Sequence, residues 1–154
     1  LKDLDVFTGT WEGTTVLSEE ASDSEKLGPI GGKNVTVIET CRWAPGKAAQ
    51  VSEVAFTIDG TETIRGTMLI GWDQKKEKIT IRGYTTHRGV WSGTAEKDGN
   101  KWIFSLEGYN LDGKRSTVKR LVTFTDKDHY TVIEQEQTLD GKAEPDETWQ
   151  FKRR

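Results

Sequence analysis

Residues 89–109 read GVWSGTAEKDGNKWIFSLEGY, two runs of alternating apolar and polar residues on either side of Asp98-Gly99. Successive side chains of a strand point to opposite faces, so this alternation marks half-buried strands. An Asp-Gly pair tolerates the positive φ values of a tight hairpin turn. The stretch therefore folds as a hairpin, with strands over 89–97 and 101–109.

The same pattern extends in both directions. Alternation predicts further strands over 9–18, 34–44, 49–58, 61–72, 78–86, 115–125, 129–139 and 146–154, about ten in total. Asp59-Gly60, Asp112-Gly113 and Asp140-Gly141 supply more turns, and connections this short force antiparallel neighbours. Only the opening segment departs from the pattern. Leu1, Leu4 and Phe7 stand three apart, which suits a short helical turn placed to plug one end of a barrel. The one long connection, Glu19 to Lys33, is rich in Ser, Glu, Asp and Gly and is expected to be an exposed, mobile loop gating an open end. A ten-strand meander has two unpaired edges unless its first and last strands meet, and closure removes that hazard. The expected fold is an all-β, antiparallel up-and-down meander closed into a barrel, one domain over residues 1–154.

Composition agrees. A chain of 154 residues buries enough surface to be stable without disulfides or metal. Only 33% of residues are hydrophobic, yet six Trp, five Phe and three Tyr point to an aromatic-rich core. The net charge of −3 arises from 22 basic and 25 acidic residues that are interspersed, so no basic stripe exists to bind nucleic acid. No apolar run approaches the roughly 18 residues of a membrane helix. The strands also carry charges on faces that an outer-membrane barrel shows to lipid, so a water-soluble protein without membrane insertion is expected. Cys41 is the sole cysteine, which leaves the compartment open. The first residue is Leu1 rather than Met, an expected mark of processing or of excision from a longer chain.

Two segments carry a family resemblance: Gly9-Thr10-Trp11 in the first strand and Thr148-Trp149-Gln150-Phe151-Lys152-Arg153 in the last. Together they resemble the calycins, lipocalins and related barrels. The resemblance implies that Trp11 closes the barrel base and that Arg153 or Lys152 packs over it by cation–π contact and hydrogen bonds to carbonyls. The whole chain, with Cys41-Arg42-Trp43, Ile70-Gly71-Trp72-Asp73, Gly89-Val90-Trp91-Ser92-Gly93 and Asp98-Gly99-Asn100-Lys101-Trp102, is also similar to a bacterial family of uncharacterised lipocalin-like domains. Members often follow a SnoaL-like domain, and that family offers no settled activity.

Charged residues interrupt several apolar faces. Glu39 lies between Val37 and Cys41, Glu53 between Val51 and Ala55, Arg120 between Val118 and Val122, and Glu134 shares the face of Tyr130 and Val132. A lone buried charge costs several kcal/mol, so such groups pair with each other, bind water or meet a ligand's polar atoms. Glu39, Glu53, Arg120 and Glu134, with Trp43 and Trp72 near strand ends, are the expected lining of a pocket for a small amphipathic molecule. The competing reading turns these charges outward through bulges, or pairs them internally without any ligand.

Catalysis has little support. The sequence contains no Gly-X-Ser-X-Gly elbow, no catalytic Cys-His signature and no zinc-hydrolase helix. Gly31-Gly32-Lys33 lacks the spacing of a phosphate loop. His87 and His129 stand near turns without spaced metal partners. Nitrobindin-like barrels hold haem through a late histidine, whereas Tyr130 to Arg154 contains none. No cofactor or metal is expected. The leading expectation is a non-enzymatic barrel holding a small, partly apolar molecule in a cavity on the order of several hundred Å³. The alternatives are a structural or interaction module, as a homodimer or beside an attached SnoaL-like domain, and an enzyme using interior carboxylates such as Glu39, Glu53 and Glu134.

Overall fold

The computed structural model describes residues 1–87 and 89–154. Among these, the strands are β1 (Gly9–Val16), β2 (Asn34–Trp43), β3 (Ala49–Ile58), β4 (Thr61–Asp73), β5 (Lys78–Thr85), β6 (Val90–Asp98), β7 (Lys101–Tyr109), β8 (Arg115–Asp126), β9 (His129–Leu139), β10 (Lys142–Ala143) and β11 (Glu147–Arg153). From β1 to β9 each strand pairs antiparallel with the next, and β11 returns between β9 and β1. Ten strands thus close a barrel, as alternation and turn spacing predict. β10 is the addition, a two-residue extension in which Lys142 pairs with Leu139. It follows the turn Asp140-Gly141, whose φ values of 49° and 80° are both positive, as a type I′ hairpin requires. Two residues are too few for alternation to register.

One end of the barrel, its floor, is sealed by side chains from both termini. Trp11 and Arg153 are cross-strand partners, and the Arg153 guanidinium stands 4.1 Å from the Trp11 ring. The same group donates to the carbonyls of Thr8 at 2.5 Å and Lys127 at 3.1 Å, and lies 3.3 Å from the Asp128 carboxylate. At Gly9, φ is 119° and a Cβ would stand 2.6 Å from Arg153 Nη1, which is the physical content of the Gly-X-Trp motif. The 3-10 segment Lys2–Phe7 is the plug that the opening residues predict. Leu4 is fully buried, Trp11 Nε1 donates to Phe7 O at 2.8 Å, and Phe7 meets Trp102, Phe104, Phe124 and Tyr130 edge-on. Such contacts add to the area buried by each ring.

The opposite end, the mouth, is crossed by the segment between β1 and β2, and here the expectation of a mobile gate fails. Asp112 accepts from Ser24 Oγ, Glu25 N and Lys26 N at 3.2, 3.0 and 3.0 Å. Glu144 accepts from Ser22 through both its amide and its hydroxyl, and Glu147 accepts from Ser18 N at 3.0 Å. Ser24 is buried. The loop is docked because carboxylates from distant strand ends satisfy backbone N–H groups that its own composition leaves free.

Candidate binding site

Inward-facing side chains decide what the barrel can hold. On β2 these are Val35, Val37, Glu39 and Cys41; on β9 they are Tyr130, Val132 and Glu134; on β8, Arg120, Val122 and Phe124. Glu39, Arg120 and Glu134 therefore fall on the inner face, as alternation predicts. Glu53 does not. It is exposed and lies 3.8 Å from Arg42 on the outer wall. The phase of β3 explains the error: its inward residues are Gln50, Ser52, Val54 and Phe56, so two polar side chains occupy the core face and the apolar pair Val51 and Ala55 shares the outer one.

Gln50 is fully buried. Its amide nitrogen donates to Leu4 O at 3.0 Å and Thr8 Oγ1 at 3.2 Å, while its Oε1 has no partner. Glu39, half-buried, accepts from Ser52 Oγ at 2.6 Å and Cys41 Sγ at 3.7 Å. Burial, with the nearby Glu39 charge, pushes the Cys41 thiol and the Tyr130 phenol well above their ordinary ranges, so both stay protonated. Arg120 Nε approaches Glu134 Oε1 at 3.2 Å without hydrogen-bond alignment. Glu134 in turn faces Glu147 across the β9–β11 ladder.

Two spaces follow from this arrangement. An inner cavity of about 40 Å³ is bounded by Glu39, Gln50, Phe104, Arg120 and Tyr130, among others. A mouth chamber of about 230 Å³ lies under the docked loop, with Leu17, Ile30, Ile64, Leu111, Glu134 and Glu147 in its wall. Arg120 borders the first and Glu134 the second, so their ion pair stands at the boundary. The expected single cavity of several hundred Å³ is absent from the described interior because Phe7, Trp11, Trp102, Phe104 and Phe124 fill the lower half. Larger concavities, near 470 and 480 Å³, lie on the outer wall along β6–β9 and beside Trp72.

The two Trp residues expected in the lining sit elsewhere. Trp43 ends β2 at the floor and donates Nε1 to Asp5 at 2.7 Å, tying down the plug. Trp72 is 48% exposed at the same end of β4 and borders an outer groove. A strand-end position does not say which end of the barrel it reaches. His87 Nε2 lies 2.6 Å from Thr63 O and His129 Nδ1 lies 3.0 Å from Asp126, both away from the interior. Among the described residues no three His, Cys, Asp or Glu side chains gather to hold a metal, and no helix is long and apolar enough to cross a membrane.

Glu147, which alternation did not single out, links chamber and loop. Burial raises its carboxyl pKa, the Ser18 N–H opposes that shift, and Glu134 adds to it. A raised folded value means that the native state holds the proton more tightly than the unfolded chain, so this group's contribution falls as pH rises through that window. Glu147→Gln keeps an acceptor for Ser18 N–H and removes the charge. It is expected to unfold at the same or higher urea concentration at neutral pH, with the difference shrinking on acidification. Glu147→Ala leaves the N–H unpaired and should lose about 1 kcal/mol.

Fold and site together define a closed antiparallel β-barrel with a plugged floor, a small inner cavity carrying a few polar groups in a largely apolar wall, and a mouth crossed by the β1–β2 loop. The chain belongs to the DUF1579 family, proteins of unknown function, which it matches over residues 2–153. Among solved structures it is similar to a de novo designed fluorescence-activating β-barrel at 12% identity and a TM-score of 0.46, over 100% of this chain and 99% of that one. No curated protein matches.

Proposed function

We propose that the protein is a non-enzymatic binding barrel that takes a small, partly apolar molecule in the mouth chamber. The observation that carries this reading is the chamber itself. It joins apolar walls at Leu17, Ile30, Ile64 and Leu111 to the carboxylates of Glu134 and Glu147, under a loop fixed by Asp112, Glu144 and Glu147 itself. Binding sites combine such walls with a few placed polar groups, and at about 230 Å³ this one lies just below the roughly 300 Å³ of the smallest drug-sized pockets. Its occupant is correspondingly small. The floor, with Gly9, Trp11 and Arg153, supports kinship with the calycins. The protonated Cys41 thiol lacks the character of a nucleophile, which favours binding over catalysis.

Leu111→Trp fills the chamber from its rim. Thermal-shift measurements with hexanol, cyclohexanol and indole should raise the midpoint of the native protein and leave that of the variant unchanged, while the variant's own stability stays within about 1 kcal/mol. A panel that shifts neither protein, or both equally, sinks the reading.

A further inference from the structure

We infer that the inner cavity is a socket for a primary ammonium group, so that the barrel's ligand is a small amine whose hydrocarbon part reaches the mouth chamber. The tail rests on the binding reading above; the head rests on the inner cavity alone.

The cavity asks for a donor. Gln50 Oε1 is a fully buried acceptor without a partner, and the Glu39 carboxylate, with room for about four hydrogen bonds, receives only the Ser52 hydroxyl and the weak Cys41 thiol. Size narrows the choice. A water-sized site needs about 10–15 Å³, so 40 Å³ holds an ammonium with one or two carbons and nothing broader. The rings of Phe7, Phe104 and Tyr130 border the same space, and aromatic faces attract cations. Charge points the same way. Glu39, Glu134 and Glu147 face the interior above the floor, where Arg120 is the inward guanidinium of the described strands. Arg120 borders the same cavity, but its charge is paired with Glu134 at 3.2 Å, so among the described residues Glu39 has no ion-pair partner of its own. A carboxylate ligand would meet Glu39 with like charge and bring no donor to Gln50. An alcohol brings a donor without charge, and a quaternary ammonium brings charge without a donor.

The test is a calorimetric titration of the full chain with n-alkylammonium chlorides from ethyl to hexyl, against hexanol, hexanoate and hexyltrimethylammonium. Hexylammonium should bind about tenfold or more tighter than hexanol, and Glu39→Gln and Gln50→Leu should each weaken it about tenfold while changing hexanol affinity less than about twofold. The two variants lie on different strands, so a folding defect in one leaves the other informative. Hexanol binding without an amine preference, or an amine preference indifferent to both variants, overturns the socket and leaves the chamber reading standing. No binding by any probe overturns both.

Discussion

Trp11→Ala should destabilise the barrel by about 4 kcal/mol, at the scale of large aromatic truncations in cores and a large part of the 5–15 kcal/mol typical of a domain. Three losses coincide. The ring is fully buried and packs against Tyr130 at 4.7 Å and Phe124 at 6.0 Å between centroids. Its N–H satisfies the Phe7 carbonyl at the end of the plug. Its face supports Arg153, whose guanidinium joins the last strand to the Thr8 and Lys127 carbonyls. Arg153→Lys separates these terms, because an ammonium keeps the charge beside Asp128 but cannot reach several carbonyls in one plane. It is expected to cost about 1–2 kcal/mol. Urea unfolding followed by near-ultraviolet circular dichroism measures both. A Trp11→Ala loss below about 1 kcal/mol would show that ring closure is held elsewhere than at the floor.

The strand boundaries are legible in the chain because alternation and Asp-Gly turns are local, and the predicted spans match the observed ones closely. The floor contact between Trp11 and Arg153 is not local, and only the resemblance of the first and last strands to calycins anticipates it. The interior was legible only where apolar neighbours fix the phase. Val37 and Cys41 flank Glu39, and Val122 follows Arg120, so these charges were placed inside correctly. On β3 the inward residues Gln50 and Ser52 are polar, while Val51 beside them on the outer face is 8% exposed. Alternation then chose the wrong face and put Glu53 within. The loop was misread for a different reason. Its partners Asp112, Glu144 and Glu147 lie some 90 to 130 positions along the chain, and no local pattern announces a hydrogen bond across that distance.

The boundary between the two spaces yields the second large effect. Arg120→Met should cost about 3 kcal/mol, because it strips the counter-charge from Glu134 and leaves that carboxylate facing Glu147 in a poorly solvated wall. The side chains of Arg120 and Glu134 are 27% and 19% exposed, which places the loss at the low end for a broken buried pair. Acid should shrink it, since Glu147, whose carboxyl pKa burial raises, takes up a proton and relieves the like-charge contact. Arg120→Met combined with Glu134→Leu removes both charges and restores most of the loss, as an apolar pair of similar volume often matches a buried ion pair. A double-mutant cycle by urea unfolding at neutral and acidic pH measures the coupling. If the single variant costs no more than about 0.5 kcal/mol, the pair is solvated like a surface salt bridge. The chamber and inner cavity would then be joined by a wet passage rather than meeting at a desolvated ion pair.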